Sequence, residues 1–296
     1  GSMDISSYAE KAIGVYALNT YGDITVINSG EMTVDSDLNR AVGIDASTQG
    51  NIGVGNYANM TITARTDAIG VDARANGDLL IINSGSISTD SYNGFVSAGL
   101  YGVSNNNDTT IVNEGDITAN NQYGFAAAGI VAGANNGYAT IFNYGDIVAT
   151  SNNYSIGLLS VSTKYDAAVI NTGDITATGD DAIGINARTV FGDAYVYSSG
   201  NINAAAQYYT ALGINASTYY GDATVRNSGD ISASSVYNVA TGINATTRYG
   251  YASVLSLGDI AASSVYNSVF GINAYALYDV YVGNGGDISA TTTYGN

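Results

Sequence analysis

A seven-residue phrase of the form Val-x-Asn-x-Gly-Asp-Ile returns along the whole chain, and no other feature limits the fold as tightly. Clear copies are Ile111-Val112-Asn113-Glu114-Gly115-Asp116-Ile117 and Val225-Arg226-Asn227-Ser228-Gly229-Asp230-Ile231. The Ile or Met that closes it stands at 32, 60, 87, 117, 147, 175, 202, 231, 260 and 288, so copies follow one another at 27 to 30 residues. A second phrase, Gly-Ile-Asn/Asp-Ala, keeps the same beat at Gly43, Gly70, Gly184, Gly213, Gly242 and Gly271, with degenerate copies at Gly14, Gly99, Gly129 and Gly157. Two independent phrases on one period mark stacked structural repeats.

The repeat unit is built of strands. Paired helices need apolar residues spaced by three and four, whereas here the spacing is two. Around Val225, the residues Val225, Asn227, Gly229, Ile231 and Ala233 share one parity and alternate with polar neighbours. Gly-Asp and Asn-x-Gly interrupt the chain far too often for helices. One repeat therefore reads as one coil with three short strands: Gly-Ile-Asn-Ala-x-Thr, Ala-x-Val-x-Asn and Asp-Ile-x-Ala. The expected fold is all-β, a parallel β-helix (β-solenoid) of about ten coils of roughly 28 residues. At about 4.8 Å per coil the rod is about 48 Å long. Repeat length varies mainly between the closing Ile and the next Gly-Ile-Asn, a gap of 9 to 12 residues. That corner is expected to be exposed.

Composition narrows the function classes. The chain carries 25 Asp and Glu against two Lys and six Arg, a net charge of -17, so it repels nucleic acid and anionic membranes. A hydrophobic fraction of 46% is too high for a disordered chain. There is no His or Cys, which removes the usual triads, thiol nucleophiles, disulfides and zinc sites, and no metal or cofactor is expected. No apolar run approaches the length of a membrane helix; the longest, Leu79-Leu80-Ile81-Ile82, is strand-sized. Gly1-Ser2-Met3 reads as an expression remnant, leaving 4–296 as a single β-helix domain.

Stacking turns each repeat position into a column. Asn28, Asn56, Asn83, Asn113, Asn143, Asn171, Asn227 and Asn284, with Ser198 and Ser256 between them, form an inward column expected to bond amide to amide along the stack. Asp116, Asp146, Asp174, Asp230, Asp259 and Asp287 form an outward turn column, read as bonding local amides, with a bridging calcium as the sharper alternative. One aromatic column opens the Val-x-Asn strand: Tyr21, Tyr165, Phe191, Tyr220, Tyr249 and Tyr278. Another lies on the variable corner: Tyr92, Tyr123, Tyr154, Tyr208, Tyr237 and Tyr266. Exposed Tyr rings offer rigid amphipathic contacts for sugar or protein, so the corner column is the candidate binding face. The pair Asp180-Asp181 and the cluster Asp35, Asp37 are candidates for acid and base on a glycan, a Gly-flanked turn pair being the commoner meaning. Thr48, Thr189, Thr218 and Thr247 align as a column that an ice-binding face would need, interrupted by Ala75, Ser104, Ala134 and Ala276.

The recurring Gly-Asp-Ile-x-Ala, Gly-Ile-Asn-Ala and Val-x-Asn-x-Gly phrases, from Ala12 to Ala290, resemble the passenger region of bacterial autotransporters, the type V secreted proteins. The resemblance implies a right-handed parallel β-helix displayed outside a Gram-negative cell. It implies adhesion, self-association or biofilm formation, with a glycan or protein on another surface, or a second copy, as partner. It also implies a fragment of a longer passenger, because the translocating barrel and capping segment of that family are not in the sequence and the chain ends inside a repeat. The alternatives are a passive stalk or spacer, a polysaccharide-processing β-helix enzyme, and an ice-binding solenoid.

Overall fold

Each repeat contributes one strand to each of three parallel sheets, in the computed structural model of this chain, which describes residues 1–294. The coil that starts at Ile202 is representative, with strands Ile202–Ala206, Ala211–Thr218 and Ala223–Asn227. Every strand but the two at the ends of each sheet pairs with its counterpart one repeat before and one repeat after, which gives sheets of eleven, ten and ten strands. The described residues contain no helix. The chain is a parallel β-solenoid of about ten coils, the class its periodicity dictates. Met3, read above as part of an expression remnant, belongs to the first sheet, where it pairs with Met32.

Alternation decides what is inside. Ile202, Ala204, Ile214, Ala216, Ala223 and Val225 point inward and are almost wholly buried. The same positions in neighbouring coils stack on them, so one hydrophobic core runs through the rod. Small and β-branched side chains suit this core because the three sheets leave only a narrow interior.

The second sheet is bent at the Gly of Gly-Ile-Asn. In the strand Ala41–Thr48, Ala41 and Ile44 belong to the main core, whereas Val42 joins a separate cluster with Ile69, Ala98 and Ala128. Alternation is thus broken at Gly43, and the chain turns a corner there. The geometry admits only glycine. A Cβ on Gly184 would collide with Ile202 Cγ2 and lie 2.6 Å from the Gly213 carbonyl oxygen.

Side chains join the coils as well as backbone. The inward Asn column is continuous from Asn28 to Asn171: each Nδ2 donates to Oδ1 of the next Asn at 2.7–2.8 Å, and to the carbonyl two residues ahead from Asn56 onward. Asn56, Asn83, Asn113 and Asn143 are fully buried. Asn171 donates at 3.2 Å to Ser198 Oγ, and Asn227 at 3.3 Å to Ser256 Oγ. Asn284 is exposed and bonds Gly286.

Candidate functional site

The outward Asp column is not a set of local turn bonds. Asp146 N donates to Asp116 Oδ1 at 3.0 Å, Asp174 N to Asp146 Oδ1 at 2.8 Å, and Asp259 N to Asp230 Oδ1 at 2.9 Å. Each carboxylate therefore holds the amide of the next coil. Asn201 takes the same place, accepting from Asp230 N at 3.0 Å. A second such column precedes the third sheet: Asp166 Oδ1 accepts from Asp193 N and Asp193 Oδ1 from Asp222 N, at 2.9 and 2.7 Å. The sequence reading missed it, although Gly-Asp before Ala-x-Val is legible at Gly192-Asp193 and Gly221-Asp222. Among the described residues no group of three or more acidic side chains is placed to hold a metal ion.

The Thr column is inward. Thr189, Thr218 and Thr247 donate to carbonyls of the preceding coil at 2.7–2.8 Å and accept from an amide three residues ahead. Ser104 does the same and so continues the column it was read as interrupting. These hydroxyls close a turn and are turned towards backbone groups of the stack.

The corner Tyr column divides into parts. Tyr208, Tyr237 and Tyr266 stack at 5.4 and 5.3 Å with ring planes within 8° of parallel. Tyr294, missed by the sequence reading, extends the stack at 5.5 Å. The four rings are at least half exposed, from 50% for Tyr208 to 74% for Tyr294. Tyr92 and Tyr123 meet edge to face at 5.0 Å instead, and beside them Phe95 and Phe125 stack at 5.0 Å. Arg65 lies over the Tyr92 ring at 4.4 Å. Tyr154 leaves the column. It opens a second-sheet strand and pairs in register with Ala126 and Asp181. The cause is spacing: Tyr92 follows its closing Ile by five residues, Tyr154 by seven and the stacked rings by six. The other aromatic column also divides. Phe191, Tyr220 and Tyr249 stack at 5.1 and 5.4 Å, whereas Tyr165 pairs with Tyr138 and Tyr278 with Tyr251.

Corner length shapes the surface between the two aromatic groups. The corner after Ile175 is the shortest, nine residues from Ile175 to Gly184, against twelve for Ile87 to Gly99 and eleven for Ile202 to Gly213. The ridge dips there into an open recess of about 700 Å³ lined by Thr150, Asn152, Thr178, Asp180, Gln207 and Tyr208, among others. Asp181 does not line it. Its carboxylate is half-buried with Oδ1 unpartnered, and burial raises its pKa. Burial, with the Asp181 charge second, pushes the Tyr154 hydroxyl up to about 12. The two adjacent carboxylates thus do not converge on one cavity, as an acid and base pair would have to.

A further surface went unread. The residue between Val and Asn in each repeat points outward, and register aligns Ile82, Val112, Phe142, Ile170 and Tyr197 as an apolar stripe on the third sheet. Treating that position as variable hid its character. No protein-family profile, curated protein or solved structure matches the chain.

Proposed function

We propose that this chain is a bacterial cell-surface scaffold for adhesion or self-association, displayed outside the cell in the manner of an autotransporter passenger. The observation that carries the reading is the exposed stack of Tyr208, Tyr237, Tyr266 and Tyr294 along one corner of a rigid rod. Half-exposed rings held parallel are stiffened by their neighbours, so a partner that grips them sacrifices little side-chain freedom. Repetition along the axis makes each weak contact multivalent, which raises avidity without a stronger individual contact. The partner is a glycan or protein on another surface, or a second copy of the chain. A net charge of -17 directs it towards neutral or cationic ligands.

The test is a triple substitution, Tyr208→Ser, Tyr237→Ser and Tyr266→Ser, in a full-length protein displayed on cells. Aggregation and adhesion to glycan-coated beads should fall sharply while the melting temperature stays close to that of the parent. Undiminished adhesion in a folded variant rejects the tyrosine face.

A further inference from the structure

The recess at the short corner is more selective than the stack beside it. In the stack, each inner ring has both faces covered by its neighbours and offers only its edge and hydroxyl. Tyr208 ends the stack. Among the described residues its single ring neighbour is Tyr237, and it is a wall of the recess left by the nine-residue corner. One face of Tyr208 is therefore free of other rings at the place where the surface dips. Around it stand the amides of Asn152 and Gln207, the hydroxyls of Thr150 and Thr178, and the Asp180 carboxylate.

We infer that this recess is a subsite for a neutral saccharide, with one sugar ring lying on the open face of Tyr208. The reading rests on the adhesive role proposed above and names the ligand chemistry of one position on that surface. An apolar ring face bordered by amides, hydroxyls and a carboxylate matches a pyranose, which has an axial C–H face and a rim of hydroxyls that both donate and accept. The recess is about 700 Å³, within the range that small ligands occupy. No Lys or Arg lines it and Asp180 does, so sialylated or uronic sugars are repelled.

Saturation-transfer NMR tests this with the protein as it stands, using chitobiose and lactose as neutral probes and sialyllactose as the anionic one. Transfer to the neutral sugars is expected, and transfer to sialyllactose is not. Tyr208→Ala should weaken binding about tenfold, the loss of roughly 1.4 kcal/mol of stacking. Tyr220→Ala, inside the other aromatic stack, should leave binding unchanged. Thr178→Trp, on an exposed strand position, should fill the recess and abolish it. Circular dichroism on each variant separates loss of site from loss of fold, and Tyr208→Ala decides the matter should Thr178→Trp misfold. Absence of transfer to both neutral sugars, or equal losses in Tyr208→Ala and Tyr220→Ala, overturns the subsite. Loss of aggregation in the triple Ser variant, with no sugar bound, would overturn the subsite while supporting the scaffold. Sugar binding lost in Tyr208→Ala with aggregation intact in the triple variant would support the subsite and reject the adhesive reading.

Discussion

A single hydroxyl shows how finely the Asn column is balanced. Ser198 Oγ receives the Asn171 amide and has one proton, which it turns towards the Gly200 carbonyl at 3.4 Å. Nothing is left to donate to Asn227, and Asn227 Oδ1 is buried without a partner. An Asn there has a second N–H to give, so Ser198→Asn should stabilise the protein by about 1 kcal/mol in urea denaturation. Asn113→Ala should destabilise it by about 1–3 kcal/mol, because it orphans groups in two adjacent coils. The burial of this column was legible from parity alone. The role of the Asp column was not, since parity says only that a residue faces outward and never which amide its oxygen reaches. Asp174→Asn should keep the bond, because Asn201 already performs the same task one coil on, and gain up to about 1 kcal/mol in low salt as repulsion by Asp146 is relieved, whereas Asp174→Ala should lose the bond. Asp181 differs in having a raised pKa and an unpartnered oxygen. A carboxyl that binds its proton more tightly when folded is harmless below its ordinary pKa of about 4 and destabilises as pH rises through the folded value. Asp181→Asn should therefore raise the melting temperature at pH 7, and the gain should vanish in acid. A gain that persists below pH 4 would place the cause outside ionisation.

Strands and corners were not equally legible. A strand announces itself through the period of two, and the strand-forming phrases fall where the sequence places them, as in Ile231–Ser235 and Ala252–Ser256. Corners obey no period, so columns drawn through them drift by a residue: Tyr154 reads as one of six rings yet sits in the register of Ala126 and Asp181. The bend within the second sheet lay between these cases, since its Gly is visible in every repeat while its reason is steric. A methyl group at Gly184 meets both the Ile202 side chain and the Gly213 carbonyl oxygen. Gly184→Ala should cost about 1–3 kcal/mol or more, the range for overpacking a filled core. Because one of the two obstacles is backbone, adding Ile202→Ala should not restore stability. Full recovery in the double variant, measured by thermal melting, would show that only the side chain was in the way.

For the whole molecule, the coils are drawn together by apolar stacking and pushed apart by charge. Within each run of the column, one Asp stands one coil from the next, about 4.8 Å along the axis. Two unit charges at that separation repel by roughly 1 kcal/mol in a fully aqueous dielectric. The repulsion recurs between Asp116, Asp146 and Asp174, and again between Asp230, Asp259 and Asp287, in a chain whose net charge is -17. Unfolding separates these charges, so the repulsion works against the rod and not against the loose chain. It works less in salt, because the screening length shrinks from about 30 Å at 0.01 M to about 10 Å at 0.1 M. The melting temperature should consequently rise with sodium chloride over that interval, opposite to a protein held by surface ion pairs. Among the described residues the ion pairs are Lys11–Asp45, Arg40–Asp72 and Arg74–Asp72, all in the N-terminal coils, and they cannot offset the distant columns. Converting Asp116, Asp146, Asp174, Asp230, Asp259 and Asp287 to Asn keeps an oxygen for each inter-coil amide while deleting the charge. That variant should melt higher than the parent in low salt and lose part of the salt dependence, the Asp166, Asp193 and Asp222 column keeping the rest. A parent melting temperature that falls with salt, or a variant that keeps the parent's slope, would show that the acidic columns do not govern the stability of the rod.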